Sequence, residues 1–310
     1  MAVALSPKDL LRRNNPYDVG RPRGIPKLFH QSWKNKHLPA KFAQWSRTCR
    51  EQHPGWEWVL WTDEDNRGLI EARYPWLEET YNRLPGKIYR VDMMRNLYMH
   101  AFGGVYADLD TDCLRPTEDM LDVYGIDRVG EHQTLNTQLA APESSTAVFG
   151  RMGSDFNFEH HLPNAWMAST PGHPFFLLPI ESIKAEVDRS QRPLAGYWYD
   201  WPSAEQMTGP IALRESIIQY AARQKDGSSS NGVPERIVLL PQQWAYPFNW
   251  DSDEATRALC SAEQDTFNAS SCKNKLDVAR QGSMSITYWS HTHRGKGVDK
   301  DNIAKMNAVG

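Results

Sequence analysis

Residues Lys87 to Asp112 read KIYRVDMMRNLYMHAFGGVYADLDTD, and this stretch changes its period twice. Ile88, Val91, Met94, Leu97 and Ala101 recur every three or four residues, which predicts a helix with one apolar side. Asp92 and Arg95 are three apart and lie one above the other on a neighbouring face. Gly103-Gly104 then ends the helix, as glycines past a helix C-terminus do. Val105 to Asp110 alternates like a strand, with Val105, Ala107 and Leu109 on one face and Tyr106, Asp108 and Asp110 on the other. Two carboxylates at the strand end therefore share a face, close behind Asp92 and Arg95. A hard divalent cation carrying phosphates suits that set, because Mg²⁺ or Mn²⁺ takes one or two carboxylates and leaves its other positions to water and phosphate oxygens.

An Asp-x-Asp triplet alone says little, since most such pairs are solvated loop residues. An Asp92/Arg95 pair alone reads as an i, i+3 ion pair worth a few tenths of a kcal/mol. The full order of Asp92, Arg95, Gly103-Gly104, Tyr106, Asp108 and Asp110 is far more specific, because it specifies a helix, a break and a strand edge in sequence.

Outward from this stretch the chain alternates strand and helix. Residues 1–24 are polar and carry Pro and Gly, and read as a leader, irregular or forming an outer helix. Ile25 to Trp33 (IPKLFHQSW) reads as a first strand. Residues 40–52 form a helix with Phe42, Trp45 and Cys49 at helical spacing, and Trp56 to Trp61 a buried strand. Thr62 or Asp63 caps the next helix. The result is an α/β, doubly wound, Rossmann-like, mainly parallel sheet flanked by helices, which binds ligands outside the carboxyl ends of its strands, where Asp108 and Asp110 fall. Downstream, Val129 to His132 suggests a strand edge, Asn164 to Ser169 a strand, Phe175 to Asp188 and Ile211 to Arg223 helices, 227–232 a flexible loop, and Ile237 to Pro241 a late strand. Residues 25–310 form one domain, with 248–275 an insertion.

A chain of 310 residues that is 40% hydrophobic can bury a substantial core, and a net charge of −3 gives no electrostatic case for a nucleic-acid partner. No apolar run is long enough to span a membrane, and no Cys/His spacing resembles a zinc site. Cys260 and Cys272 bracket a polar segment holding the sequon Asn268-Ala269-Ser270. One reading bridges that pair, leaves Cys49 and Cys113 as thiols and places the chain in an oxidising lumen; the other has all four reduced and the sequon fortuitous.

The Asp92-x-x-Arg95 pair followed by Gly103-Gly104-Val105-Tyr106-Ala107-Asp108-Leu109-Asp110 resembles the signature of DXD-containing glycosyltransferases of GT-A fold. The branch is that of the fungal initiation-specific α-1,6-mannosyltransferases and mannosyl-inositolphosphoceramide synthases, with clostridial glucosylating toxins more distant. Ile25 to Trp33, His53 to Glu64 (HPGWEWVLWTDE), Asn164 to Ser169 and Pro171 to Phe175 are also similar to segments of that family. The resemblance implies transfer of a hexose, with retention of configuration, from a nucleotide-sugar donor to a hydroxyl acceptor, assisted by Mn²⁺ or Mg²⁺. It implies that Asp108, Asp110 and, from the closing segment, His291 hold the metal. Asp92 and Arg95 would hold sugar hydroxyls, and Gln31, Trp33, Gly104, Asp108 and Asn164 would complete the donor site. His293 is the alternative to His291, and a surface histidine the alternative to both. The donor expected is GDP-mannose, then UDP-glucose or UDP-galactose. The family is mostly held in the Golgi by an N-terminal helix, so a secretory lumen is expected if such an anchor belongs to the protein, and the cytoplasm otherwise. A sugar-nucleotide hydrolase or phosphotransferase on the same fold, and a non-catalytic binding protein, are the rival classes.

Overall fold

The computed structural model describes residues 1–13, 24–128, 145–153, 155, 157–192, 199–225, 234–249, 251–291 and 300–307. A seven-stranded sheet forms the centre: β1 (Val3–Ala4), β2 (Leu28–Ser32), β3 (Glu57–Trp61), β4 (Gly104–Ala107), β6 (Ser145–Gly150), β7 (Trp166–Ser169) and β8 (Glu235–Leu240), in the order β1-β3-β2-β4-β7-β6-β8. Strands β1, β3, β2 and β4 run parallel; β7 is antiparallel to both β4 and β6, and β6 is parallel to β8. A second, two-stranded sheet pairs β5 (Thr111–Cys113) antiparallel with β9 (Ser285–Thr287). Helices connect the first half: α1 (Pro7–Arg12), α2 (Ala40–Gln52), α3 (Asp63–Arg73), α4 (Glu78–Arg83), α5 (Lys87–Phe102) and α6 (Thr117–Val123). The second half adds α7 (Leu177–Ser190), α8 (Ala204–Met207), α9 (Pro210–Lys225), α10 (Gln242–Ala245), α11 (Glu254–Cys260), α12 (Ala269–Lys275), α13 (Val278–Gln281) and α14 (Lys300–Asn307). This is the α/β, mainly parallel layout expected for a GT-A glycosyltransferase.

The sheet is packed on both faces, so its central strands are apolar without alternation; every residue of β4, β6 and β7 is buried. One face carries Val59, Trp61, Met94, Leu97, Tyr98, Phe149 and Phe175, and the other Phe29, Val105, Val148, Trp166 and Tyr246. A third cluster joins Trp33, Phe42, Trp45, Leu109, Phe248 and Tyr288. Phe248, Cys260 and Cys272 of the expected insertion thus pack into the core beside the carboxyl end of β2.

Several expectations are refined. Residues 1–13 carry the outer helix of the two alternatives, α1, while Val3 and Ala4 extend the sheet edge beside Glu57 and Trp58 and the Arg13 guanidinium contacts Glu57 at 2.7 and 2.6 Å. Thr62 is the cap of α3, in a reciprocal box with Asp65. Helix α5 is buried on nearly all sides from Asp92 to Met99, so Ile88 and Val91 belong to a cleft and not to an apolar core stripe. The expectation of two free thiols is wrong: Cys49–Cys113 is bonded as well as Cys260–Cys272, and no cysteine is free. The first pair was missed because its partners are 64 residues apart. Val129 to His132, residues 227–232 and His293 lie outside the described residues.

Candidate active site

Two glycines set the entry to the site. Gly103 and Gly104 have φ of +64° and +89°, and a Cβ on Gly104 would sit 2.5 Å from the Leu28 carbonyl oxygen. Only glycine fits there, so the chain reverses from α5 directly into the middle of the sheet. Gly104 serves as this backbone hinge and does not line the cleft, contrary to its expected place in a donor site.

Strand β4 ends at Ala107, opposite Trp166. The alternation expected through Asp110 stops there. Asp108 N–H still donates to the Ala165 carbonyl (2.8 Å), but Thr111 N–H turns back onto the Asp108 carbonyl (3.1 Å) as the chain leaves for β5. Asp108 and Asp110 therefore occupy a turn and not one face of a strand.

Arg95 is the centre of the charge arrangement. Its guanidinium lies 3.3 Å from Asp92 and 3.0 Å from Asp108, donates to the Asn164 carbonyl at 3.1 Å, and sits 5.3 Å over the Tyr106 ring. The Tyr106 hydroxyl donates to Asp108 at 2.6 Å, so Ser32 donates to Tyr106 at 3.2 Å. Thr208 donates to the second Asp92 oxygen at 3.4 Å. Burial pushes the Asp108 carboxyl up to about 7, with neighbouring Asp110 adding to the shift and Arg95 opposing it. Burial likewise raises Asp92 to about 6 against the pull of Arg95, Asn164 and Thr208. Arg95, flanked by two carboxyls, is held firmly in its charged form despite burial.

Asp110 is positioned from the other end of the chain. Pairing of β5 with β9 sets Thr111 opposite Thr287, and Tyr288 N–H extends the ladder to the Asp110 carbonyl (2.9 Å). Two residues on, Ser290 donates both its N–H (2.7 Å) and its hydroxyl (2.8 Å) to Asp110 Oδ2. Trp289 and His291, on either side of Ser290, have φ of +47° and +46°, a left-handed conformation that costs roughly 1–2 kcal/mol per non-glycine residue. Asp110 Oδ1 is buried and has no hydrogen-bond partner among the described residues.

These groups line one cleft of about 660 Å³, together with Trp33, Phe42, Tyr89, Phe158 and His160. Of the expected residues, Trp33, Asp92, Arg95, Asp108, Asp110, Asn164 and His291 converge on it. Gln31 does not: it points to the opposite face of β2, where its side-chain oxygen accepts from Trp58 Nε1 at 2.9 Å. The strand's period of two makes the neighbour, Ser32, the cleft residue. His291 lies at the edge with Nδ1 3.2 Å from Glu263, and among the described residues no three His, Cys, Asp or Glu side chains come close enough together to cage a metal. An Asp108, Asp110 and His291 triad is thus not preformed. The Asp110 and Asp108 carboxyls still suit a hard cation that draws its remaining ligands from water and phosphate, since Asp110 Oδ1 has no donor among the described residues. Ser290 and Thr208 are not among the expected site residues, and Tyr106, though part of the sequence pattern, has no expected role there. Tyr106 stands two residues before Asp108 and its hydroxyl reaches that carboxyl; nothing local marks Ser290 or Thr208.

Residues 39–134 match the family described as the glycosyltransferase sugar-binding region containing a DXD motif. The chain is 29% identical over 221 residues to inositol phosphoceramide mannosyltransferase 3 of Schizosaccharomyces pombe, covering 69% of this chain and 51% of that protein. It is 30% identical over 207 residues to a mannosyl phosphorylinositol ceramide synthase of Saccharomyces cerevisiae, covering 66% and 45%. It is 30% identical over 319 aligned residues to the initiation-specific alpha-1,6-mannosyltransferase of the same yeast, covering 97% and 58%. The chain spans about half the length of the curated relatives it matches. Among solved structures, the PaToxG glycosyltransferase aligns over 66% of this chain and 73% of its own, at 14% identity and a TM-score of 0.44. Residues 39–134 thus match the sugar-binding region of the DXD-containing glycosyltransferases, and the three relatives aligned above are named as fungal mannosyltransferases or a mannosyl phosphorylinositol ceramide synthase.

Proposed function

We propose that the cleft binds a nucleoside-diphosphate hexose and that the chain transfers the hexosyl group to a hydroxyl acceptor on a glycan, glycolipid or small molecule. The observation that carries this reading is the convergence of Arg95, two carboxyls bound to it and the unpartnered Asp110 Oδ1 on one cleft. In the reaction the bond between the anomeric carbon and the β-phosphate oxygen breaks and a bond to the acceptor oxygen forms. The nucleoside diphosphate leaves with the electron pair, and the acceptor's proton passes to the leaving phosphate or to water. Asp110 and Asp108 are the residues that would hold Mn²⁺ or Mg²⁺. When bound, the ion supplies positive charge to the diphosphate leaving group. Asp92 accepts from sugar hydroxyls while Arg95 donates to them and holds Asp108 in place. Trp33, edge-to-face with Phe42 at 5.2 Å, forms an aromatic wall against which the base and ribose rest.

The names of the relatives favour mannose, and hence GDP-mannose, as donor. No sequence motif distinguishes guanine from uracil by its hydrogen-bonding edge, which keeps UDP-glucose and UDP-galactose as the second reading. Two disulfides favour an oxidising secretory compartment such as the Golgi lumen. A panel of nucleotide sugars, assayed with Mn²⁺ for thermal stabilisation and for sugar release with and without acceptor, tests the proposal. GDP-mannose is expected to stabilise and turn over, and Asp110→Asn to abolish turnover with the fold intact. Turnover confined to a UDP-sugar overturns the donor assignment. Acceptor-independent release alone makes the protein a hydrolase, and no response to any nucleotide sugar rejects the function.

A further inference from the structure

Asn268-Ala269-Ser270 is the one Asn-x-Ser/Thr triplet in the 310-residue sequence, and the donor cleft makes no use of it. Asn268 and Ser270 are both exposed, at the start of α12 in the segment closed by the Cys260–Cys272 disulfide. Asn268 Oδ1 caps the helix by accepting from Ser271 N–H at 2.8 Å. The cap uses the oxygen of the amide, while glycan attachment uses its nitrogen. A glycosylated Asn268 keeps the carbonyl and so keeps the cap. The second, independent observation is chemical: every cysteine in the chain is disulfide-bonded, which requires an oxidising compartment, and that is where such triplets are modified.

We propose that Asn268 is an N-glycosylation site. The sugar comes from a polyprenyl-diphosphate-linked oligosaccharide. The bond from its anomeric carbon to the diphosphate oxygen breaks, a bond to Asn268 Nδ2 forms, the amide releases one proton and the polyprenyl diphosphate leaves. The glycan projects from the polar segment between α11 and α12 and covers the exposed side of the Cys260–Cys272 loop.

The test uses the full chain produced behind a cleavable secretion signal in a eukaryotic host. Endoglycosidase digestion should increase gel mobility in a single step, and digestion in heavy-oxygen water should label Asn268 in the peptide spectrum. Asn268→Asp and Ser270→Ala should each abolish the shift, and both retain a cap acceptor for Ser271, so the melting temperature of the deglycosylated wild type is matched. An unmodified Asn268 peptide in secreted protein whose two disulfides are formed overturns the proposal, as does a shift that survives both substitutions. None of these outcomes depends on the transferase reading.

Discussion

Ser290 is bound to Asp110 through two donors on one residue, and this concentrates the oxygen of interest on the other side of the carboxylate. Removing the hydroxyl leaves the backbone N–H in place, so Ser290→Ala isolates one of the two bonds. We expect about a tenfold weaker Mn²⁺ affinity, the low end of what orienting hydrogen bonds contribute at metal sites, with an unchanged melting temperature without metal. Titration of Mn²⁺ by calorimetry or electron paramagnetic resonance reads this directly, and equal affinity in the two proteins would dismiss the positioning role. Arg95 is a different case. It contacts Asp92, Asp108, the Asn164 carbonyl and the Tyr106 ring at once, so its truncation leaves the buried Asp92 and the part-buried Asp108 without their counter-charge and disturbs the cleft as a whole. A double loss of binding and stability in Arg95→Ala therefore says little about sugar contacts alone.

At the scale of elements, the junction between α5 and β4 decides where the carboxylates land. Gly104 and Gly125 both have positive φ, +89° and +59°, yet only the first is enclosed: a Cβ there would meet Leu28 backbone at 2.5 Å, whereas nothing lies within 4 Å of one on Gly125. The expected result is a loss of roughly 2–4 kcal/mol for Gly104→Ala, from overpacking added to left-handed strain, against about 1 kcal/mol for Gly125→Ala. Urea denaturation of the two variants measures the difference; equal midpoints would mean that the β4 entrance relaxes freely. The disulfides act on neighbouring elements. Cys49–Cys113 ties α2 to β5 immediately after the Asp108–Asp110 turn, closing a loop worth about 4 kcal/mol on the chain-entropy model. Lys273, next to Cys272, reaches Asp112 at 3.0 Å, and Thr48 and the Tyr288 hydroxyl bind the same carboxylate at 2.8 and 3.1 Å. The turn that carries the acidic pair is braced from both ends of the chain.

For the whole molecule, pH acts through groups sealed between the sheet and α5. His30 is fully buried; its Nδ1 accepts from Trp61 Nε1 at 3.1 Å, so Nε2 carries the proton and donates to the Gly103 carbonyl at 2.9 Å. A second proton would set N–H against N–H, and burial lowers the pKa from about 6.5 to about 4. Between those values the unfolded chain binds more protons than the folded one. Stability from this group is therefore complete above pH 6.5 and declines by roughly 3 kcal/mol as the pH falls to 4. His100, beside the Tyr74 hydroxyl, behaves in the same direction. Asp92 and Asp108 oppose it, since their raised values make the folded state bind protons first. The net curve is thus a poor test, but nitrogen chemical shifts are a clean one: the His30 ring should remain neutral at pH 5, and an imidazolium signal at that pH contradicts the buried, doubly bonded geometry.

The local pattern determined a good deal by itself. The spacing in α2, α3 and α5, the Thr62 box, the glycine break and the apolar strands are all short-range, because period and capping depend on residues a few positions apart. The same stretch marked Asp92, Arg95, Asp108 and Asp110, all of which line the cleft. Face choice was less secure: a one-residue offset in β2 exchanges Gln31 for Ser32, and the turn after Ala107 replaces the alternation expected through Asp110. What tertiary structure alone decided are the contacts made across long separations. Ser290 meets Asp110 180 residues away, Thr208 meets Asp92 116 residues away, and Cys49 bonds Cys113 across 64. Each depends on how the β5–β9 pairing and the packing of α8 beside α5 close the fold, and no periodicity within a single segment encodes a partner in another.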